Sequence, residues 1–151
     1  MEVTKDAFLK GRVQVFQPAR GFRAGTDSVL LAAALPAAQS GEVLELGCGA
    51  GGALLPAMWR LKEARFTGLE KDTAMAELAR RGLAENGFED RAEIFDGDVR
   101  AIPKDWQNRF DLVFSNPPFF ADGAIQNPGA GKSDAYLESV PLKDWLRAML
   151  F

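Results

Sequence analysis

The chain contains no histidine and a single cysteine among its 151 residues. These absences exclude Ser-His-Asp and Cys-His catalysis, histidine-ligated zinc, paired-cysteine redox motifs and disulfide frameworks. The longest apolar run, at residues 29–35, is too short to cross a bilayer, and residues 1–12 lack the apolar centre of a signal peptide. We therefore expect a cytoplasmic protein without a metal site or a membrane partner.

The composition is that of a globular domain. The chain is 47% hydrophobic and 26% charged, which supplies one sizeable core, and its net charge of −3 gives no overall positive field for nucleic acid. The charge is unevenly distributed, because residues 1–31 carry a net charge of +2. Such a segment is either a solvated basic surface or a local arm that contacts phosphates.

Short apolar strands alternate with helical segments along most of the chain. We predict strands at residues 42–46, 66–70, 92–96 and 111–115, helices at 53–62 and at 73–86 with Thr73 as cap, and a last helix that begins at Ser139 or near Pro141. This alternation is typical of βαβ units. It predicts an α/β fold with a Rossmann-like parallel sheet and helices on both faces.

The residues before the first of these strands form a separate predicted segment. Residues 13–17 have the pattern of a strand, residues 18–21 read as a turn, and Thr26 or Asp27 can cap a helix that runs to Leu35. We therefore predict a hairpin and helix over residues 1–40 and a ligand-binding core over residues 41–151.

A glycine-rich turn joins the first core strand to its helix. Gly47, Gly49 and Gly52 satisfy the dinucleotide pattern GxGxxG. Gly47, Gly49 and Gly51, with acidic Glu45 before them, instead resemble the S-adenosylmethionine motif of class I methyltransferases. The second interpretation is favoured, because the carboxylate of Glu45 would stabilise a cationic ammonium and sulfonium ligand and repel a diphosphate.

Two more carboxylates follow the next two strands. Glu70 ends one strand and is placed to bind ribose hydroxyls, and Asp98 follows the other, where it can accept a hydrogen bond from an adenine amine. The carboxyl ends of parallel strands lie at one edge of a sheet, so we expect these residues to share a crevice with Glu45. For Asp98, turn chemistry around Gly97 is the alternative.

The segment Asn116-Pro117-Pro118-Phe119 follows the last core strand. Its two prolines remove amide donors, which leaves the Pro117 carbonyl and the Asn116 side-chain oxygen as acceptors for the hydrogens of a planar amine. Phe119 offers a face on which a flipped base can stack. The segment predicts methyl transfer to an exocyclic amine without a histidine base, and a rigid turn with a core aromatic is the alternative.

These motifs resemble a known family. Residues 43–51 and 116–119 are similar to the class I amino-methyltransferases. Residues 16–31 resemble the small bacterial family that N6-methylates the adenine beside the anticodon of valine tRNA. The resemblance implies S-adenosylmethionine as cofactor and tRNA as substrate, and it makes residues 1–40 a segment that gates access to both.

The resemblance also implies roles for residues outside the glycine loop. Asp27 would lie near the cofactor and substrate entrance, Arg20 or Arg23 near the RNA, and Pro118 beside the base. Phe119 replaces the tyrosine that is common in the wider class, so stacking is kept and any hydroxyl contact is lost.

Other functions and a shortened sheet are compatible with the same motifs. A protein glutamine N5-methyltransferase, a DNA adenine methyltransferase, and a non-catalytic module that binds S-adenosylmethionine or a nucleotide are the alternatives. The class has more strands than the four central ones placed here. We therefore expect the sheet to end after the fourth strand and its helix, either because the chain is a fragment or because a partner covers the open edge. The sequence carries no signal for an oligomeric state.

Overall fold

An antiparallel hairpin opens the chain. The computed structural model describes residues 1–21, 23–117, 120–121, 137–138 and 140–151. Strand β1 (Val3–Phe8) pairs with strand β2 (Val13–Pro18), and a single 3-10 turn (Leu9–Gly11) joins them. The hairpin turn therefore precedes β2, and the turn predicted at residues 18–21 is a separate bend at residues 19–21, after β2. The alternating charged and apolar residues before Leu9 are those of a half-exposed strand.

Helix α1 (Thr26–Ala34) follows the hairpin. The N-cap residue is Gly25, which has no side chain to accept a hydrogen bond from the helix. The prediction that Thr26 or Asp27 caps this helix is therefore wrong. Both residues already lie in the first helical turn, and the carboxylate of Asp27 instead accepts a hydrogen bond from Asn116.

Four parallel strands form the central sheet, and they confirm the predicted α/β fold. They are β3 (Gly41–Leu46), β4 (Ala64–Glu70), β5 (Ala92–Asp96) and β6 (Leu112–Ser115), in the spatial order β5-β4-β3-β6. Helix α2 (Leu54–Arg60) connects β3 to β4, and α3 (Thr73–Asn86) connects β4 to β5. The cap of α3 is Asp72, one residue before the predicted Thr73, and its carboxylate accepts hydrogen bonds from the amides of Ala74 and Met75.

Apolar residues cover both faces of this sheet, as the sequence predicts. Alternation along β3 sends Val43 into one cluster with the helices α2 and α3, and sends Leu44 and Leu46 into another. Trp145 of helix α4 (Leu142–Met149) packs in the second cluster. Helices therefore cover both faces of the sheet, and the loops that connect strands and helices lie at the two ends of the strands.

A pair of two-residue strands lies between β6 and α4. These strands, β7 (Phe120–Ala121) and β8 (Leu137–Glu138), are parallel to each other. Within the part of the chain that the structure describes, none of the helices has the length and hydropathy needed to cross a membrane.

Candidate functional site

The carboxyl ends of the parallel strands bring the predicted site residues to one edge of the sheet. Five polar side chains come from the ends of strands β3 to β6 or directly follow them: Glu45, Glu70, Asp96, Asp98 and Asn116. The amino terminus of α1 reaches the same edge, because a Cβ atom on Gly52 would collide with the side chain of Ala24. This edge is where open α/β sheets bind their ligands.

The glycine turn between β3 and α2 needs its glycines for backbone conformation. Gly47, Gly49 and Gly51 have φ angles of 67°, 53° and 84°, in the left-handed region that other residues rarely adopt. The amides of Gly47 and Cys48 both donate to the carbonyl of Leu69, at 2.7 and 3.1 Å. These hydrogen bonds hold the turn against the end of β4.

Glu45 is a buried carboxylate that lacks a full set of partners. Its side chain is 2% exposed, and among the described residues its Oε2 atom has no hydrogen-bond partner. Burial raises the pKa of Glu45 well above its ordinary value, and the charge of Glu70 raises it further, whereas the backbone amide of Leu54 opposes both. A positive ligand group near this carboxylate would offset the cost of burying its charge.

We expect Glu45→Gln to flatten the pH dependence of stability. Because the pKa of Glu45 is raised by folding, the native state binds this proton more tightly than the unfolded chain does. The free energy of unfolding should therefore fall by up to about 1.4 kcal/mol per pH unit as pH rises from the ordinary glutamate range toward the raised value. Urea unfolding across mildly acidic to neutral pH measures this slope, and equal slopes in both proteins would contradict the assignment.

Glu70 connects the glycine turn to helix α3. Its Oε2 atom accepts a hydrogen bond from the backbone amide of Gly49 at 2.8 Å, and its Oε1 atom accepts one from the backbone amide of Asp72 at 2.9 Å. Each carboxylate oxygen has a second lone pair, so both can accept another hydrogen bond. The ribose-binding role predicted for Glu70 stays a prediction, and these two amides hold its side chain in place for it.

Asp98 lies in a tight turn with Arg100. Its Oδ1 atom accepts hydrogen bonds from the backbone amide and from Nε of Arg100, at 2.9 and 3.0 Å, and its Oδ2 atom accepts from Nη2 at 2.7 Å. The hydrogen bond from the guanidinium is the main reason that the pKa of Asp98 falls to about 2. The turn that the sequence allowed is therefore present, and the adenine contact stays a prediction for a carboxylate that is ionised at neutral pH.

Asn116 meets Asp27, which lies 89 positions earlier in the chain. The Nδ2 atom of Asn116 donates to Oδ2 of Asp27 at 2.9 Å. The preceding residue, Ser115, donates from Oγ to the carbonyl of Leu46 at 2.8 Å and so fixes the end of β6 beside β3. Pro117 follows half-buried, and the predicted Pro118 and Phe119 lie outside the described residues.

The two arginines predicted near RNA have different environments. Arg20 is exposed after β2. The guanidinium of Arg23 instead bonds to Asp6, to Oγ1 of Thr4 at 2.8 Å and to the carbonyl of Pro18 at 2.8 Å. Arg23 thus ties the segment before α1 to the hairpin, a use that no local sequence pattern indicates, and Arg20 has the freer surface position.

Comparison with known proteins adds a family and several relatives. Residues 15–130 match the model of the methyltransferase small domain. The chain is 35% identical over 119 residues to the tRNA1(Val) (adenine(37)-N6)-methyltransferase of Yersinia enterocolitica, covering 78% of this chain and 47% of that protein. It is 34% identical over 146 residues to the protein of the same name in Porphyromonas gingivalis, covering 91% of this chain and 57% of that protein. The chain thus spans about half the length of these curated relatives.

A solved structure supports the same architecture. A predicted O-methyltransferase from Agrobacterium tumefaciens superposes with a TM-score of 0.54 and is 33% identical, over 61% of this chain and 49% of that one. Among the residues that the structure describes, no group of three or more histidine, cysteine, aspartate or glutamate side chains is arranged to hold a metal ion.

Proposed function

Because the chain belongs to the methyltransferase small domain family, we propose that it transfers the methyl group of S-adenosylmethionine to the exocyclic N6 amine of an adenine in tRNA. The observation that carries this proposal is the Asn116 amide, which lies at the carboxyl edge of the sheet with its Nδ2 atom bound to Asp27. Its Oδ1 atom is thereby left to accept a hydrogen bond from a target amine. The names of the relatives from Yersinia and Porphyromonas support adenine in tRNA as that target.

Asn116 and Pro117 would orient the amine for attack. An exocyclic adenine amine has a lone pair delocalised into its ring, and two acceptors on its hydrogens hold that lone pair toward the methyl group. Asn116 Oδ1 and the Pro117 carbonyl supply these two acceptors, and Phe119 and Pro118 would contact the base. No side chain of high basicity is required, in agreement with a chain that contains no histidine.

The glycine turn and the carboxylates around it fit S-adenosylmethionine. When bound, this cofactor would supply a methyl group on a positively charged sulfur. The lone pair of the amine would form the new carbon–nitrogen bond, the electron pair of the broken carbon–sulfur bond would stay on sulfur, and the amine would lose a proton to water. Glu45, buried with an unpartnered Oε2 atom, would stabilise its positive charge. Glu70 would bind the ribose hydroxyls, Asp98 the adenine amine, and Gly47, Gly49 and Gly51 would let the backbone approach the ligand.

Residues 1–40 would control access to this site, and the exposed Arg20 would contact the tRNA backbone. A tRNA substrate supports a cytoplasmic location for the proposed reaction. The mechanism requires neither a metal ion nor a membrane.

Methyl incorporation tests the proposed function. The purified protein is incubated with labelled S-adenosylmethionine and, in parallel, with a valine tRNA transcript, total protein and DNA, and the products are digested and separated as nucleosides or amino acids. We expect label as N6-methyladenosine in the tRNA. A matched transcript with guanine at position 37, the position in the name of the relatives, should take up none.

Three outcomes would overturn this proposal. Label confined to protein would indicate a glutamine methyltransferase, and label confined to DNA would indicate a DNA adenine methyltransferase. Tight binding of S-adenosylmethionine in calorimetry without transfer to any of the three substrates would indicate a binding module.

A further inference from the structure

The contact between Asp27 and Asn116 has a direction that matters for the proposed reaction, on which this inference rests. A side-chain amide has two donor hydrogens at one end and an acceptor oxygen at the other. Rotated by half a turn, the amide of Asn116 would point its hydrogens toward the amine of a substrate, and the two donors would repel each other. The contribution of Asn116 to catalysis therefore depends on which way its amide faces.

The carboxylate of Asp27 selects one of these two orientations. An ionised carboxylate only accepts hydrogen bonds, so it favours the orientation in which Nδ2 of Asn116 faces it, at 2.9 Å from Oδ2. The Oδ1 atom then faces away from Asp27. Because the hydrogen bond involves a charged acceptor, it is stronger than one between two neutral groups.

The segment that leads into Asp27 is held against the glycine turn. The backbone amide of Ala24 donates to Oε1 of Gln17 in strand β2 at 2.6 Å, and Ala24 packs on Gly52. The Oδ1 atom of Asp27 would lie 3.2 Å from a Cβ atom on Gly25, so the side chain folds back over the start of α1. The hairpin, the glycine turn and Asn116 are thus connected through the first turn of one helix.

We propose that Asp27 is a positioning residue that orients the amide of Asn116, rather than a residue that binds substrate. It touches neither the target amine nor the methyl group and acts through Asn116. The hydrogen bond joins the cofactor side of the crevice, where α1 meets the glycine turn, to the substrate side at the end of β6. Family resemblance implies a position near the cofactor and substrate entrance for Asp27, and the role proposed here adds a function at that position.

Two substitutions at position 27 distinguish the effect of the hydrogen-bond acceptor from the effect of the negative charge. Asp27→Ala removes the acceptor, and we expect kcat for tRNA methylation to fall about 10- to 100-fold, as for other residues that orient a reacting group. Asp27→Asn keeps an oxygen that can accept from Nδ2 of Asn116, and we expect it to retain most of kcat. Calorimetry should give nearly the same Kd for S-adenosylmethionine in both variants, and thermal unfolding shows that both fold.

A double-mutant cycle tests whether Asp27 acts through Asn116. In the background Asn116→Ala, the further change Asp27→Ala should cost almost nothing in kcat, because no amide remains to be oriented. Asp90→Ala is the control, since Asp90 is an exposed carboxylate in the 3-10 turn (Glu89–Arg91) that precedes β5, at the opposite edge of the sheet. It should leave kcat unchanged.

The side-chain amide signals of Asn116 in nuclear magnetic resonance test the contact without any substrate. The Asn116 amide hydrogen that faces Asp27 should exchange with solvent faster in Asp27→Ala than in the original protein, because the variant removes its acceptor. This readout holds whether the substrate is tRNA, protein or DNA, so failure of the inference is distinguished from failure of the proposed function.

Three results would overturn the inference. Independent, additive losses in the double variant would mean that Asp27 contacts the substrate by itself. A weaker Kd for S-adenosylmethionine in Asp27→Asn would mean that its charge acts on the cofactor. Unchanged exchange of the Asn116 amide in Asp27→Ala would mean that the hydrogen bond does not form in solution.

Discussion

Replacing Asn116 with alanine is expected to lower kcat for the proposed methylation of tRNA by about 100- to 1,000-fold, the usual effect of removing one preorganised hydrogen-bonding group from a reacting centre. The Kd for S-adenosylmethionine should stay nearly constant, because the proposed cofactor contacts come from strands β3, β4 and β5. Single-turnover rates with saturating tRNA, together with calorimetry, measure the two effects separately.

Ser115→Ala is the matched control for this experiment. It removes the hydrogen bond from Oγ to the carbonyl of Leu46 and so loosens the end of β6 without changing the amide of Asn116. We expect a loss below about tenfold in kcat, because a neutral hydrogen bond contributes about 1 kcal/mol. Equal losses in the two variants would mean that Asn116 acts through the position of the strand, and a normal rate in Asn116→Ala would contradict its assignment.

Gly47→Ala is expected to reduce the free energy of unfolding by about 2–5 kcal/mol, the sum of a left-handed backbone penalty and overpacking. The φ angle of Gly47 is 67°, and a Cβ atom there would lie 2.6 Å from Cη2 of Trp145. The indole of Trp145 is 8% exposed and packs between α4 and the sheet, so it has little room to move. Denaturant unfolding measures the change.

Gly87 provides a control with the same backbone conformation. Its φ angle is 68°, yet a Cβ atom there would meet nothing within 4 Å. Gly87→Ala should therefore cost only the backbone penalty of about 1–2 kcal/mol. In the background Trp145→Phe the smaller ring leaves space, so Gly47→Ala should lower the free energy of unfolding by less than it does with Trp145 present. Equal losses of stability in Gly47→Ala and Gly87→Ala would show that the Trp145 side chain moves aside at no measurable cost.

The core of the fold could be predicted from local patterns. Strands such as residues 66–70 are short, apolar and regularly separated by helices, and a parallel sheet aligns their carboxyl ends without any knowledge of side-chain contacts. For that reason Glu45, Glu70 and Asp98 are expected at one edge, and in the structure they end or follow strands β3, β4 and β5.

Long-range contacts could not be predicted in this way. The hydrogen bond between Asp27 and Asn116 joins residues 89 positions apart, and no periodicity relates a helix amino terminus to the end of a distant strand. Family resemblance implies that Arg20 or Arg23 lies near the RNA, and this stays a prediction. The guanidinium of Arg23 bonds to Asp6 and Thr4 of β1, and this contact could not be predicted because the sequence patterns do not indicate β1 as a strand. The pairing of Asp98 with Arg100, by contrast, is local and belongs to the turn chemistry that the sequence allowed.

The close packing of Ala24 on Gly52 limits how this protein can diverge or be engineered. A larger side chain at either position would push the start of α1 away from the glycine turn, so these two positions must stay small together. The exposed surface around Arg20 carries no such restriction. Substitution of Arg20 is therefore expected to change the proposed contact with RNA without changing the chemistry at the sheet edge.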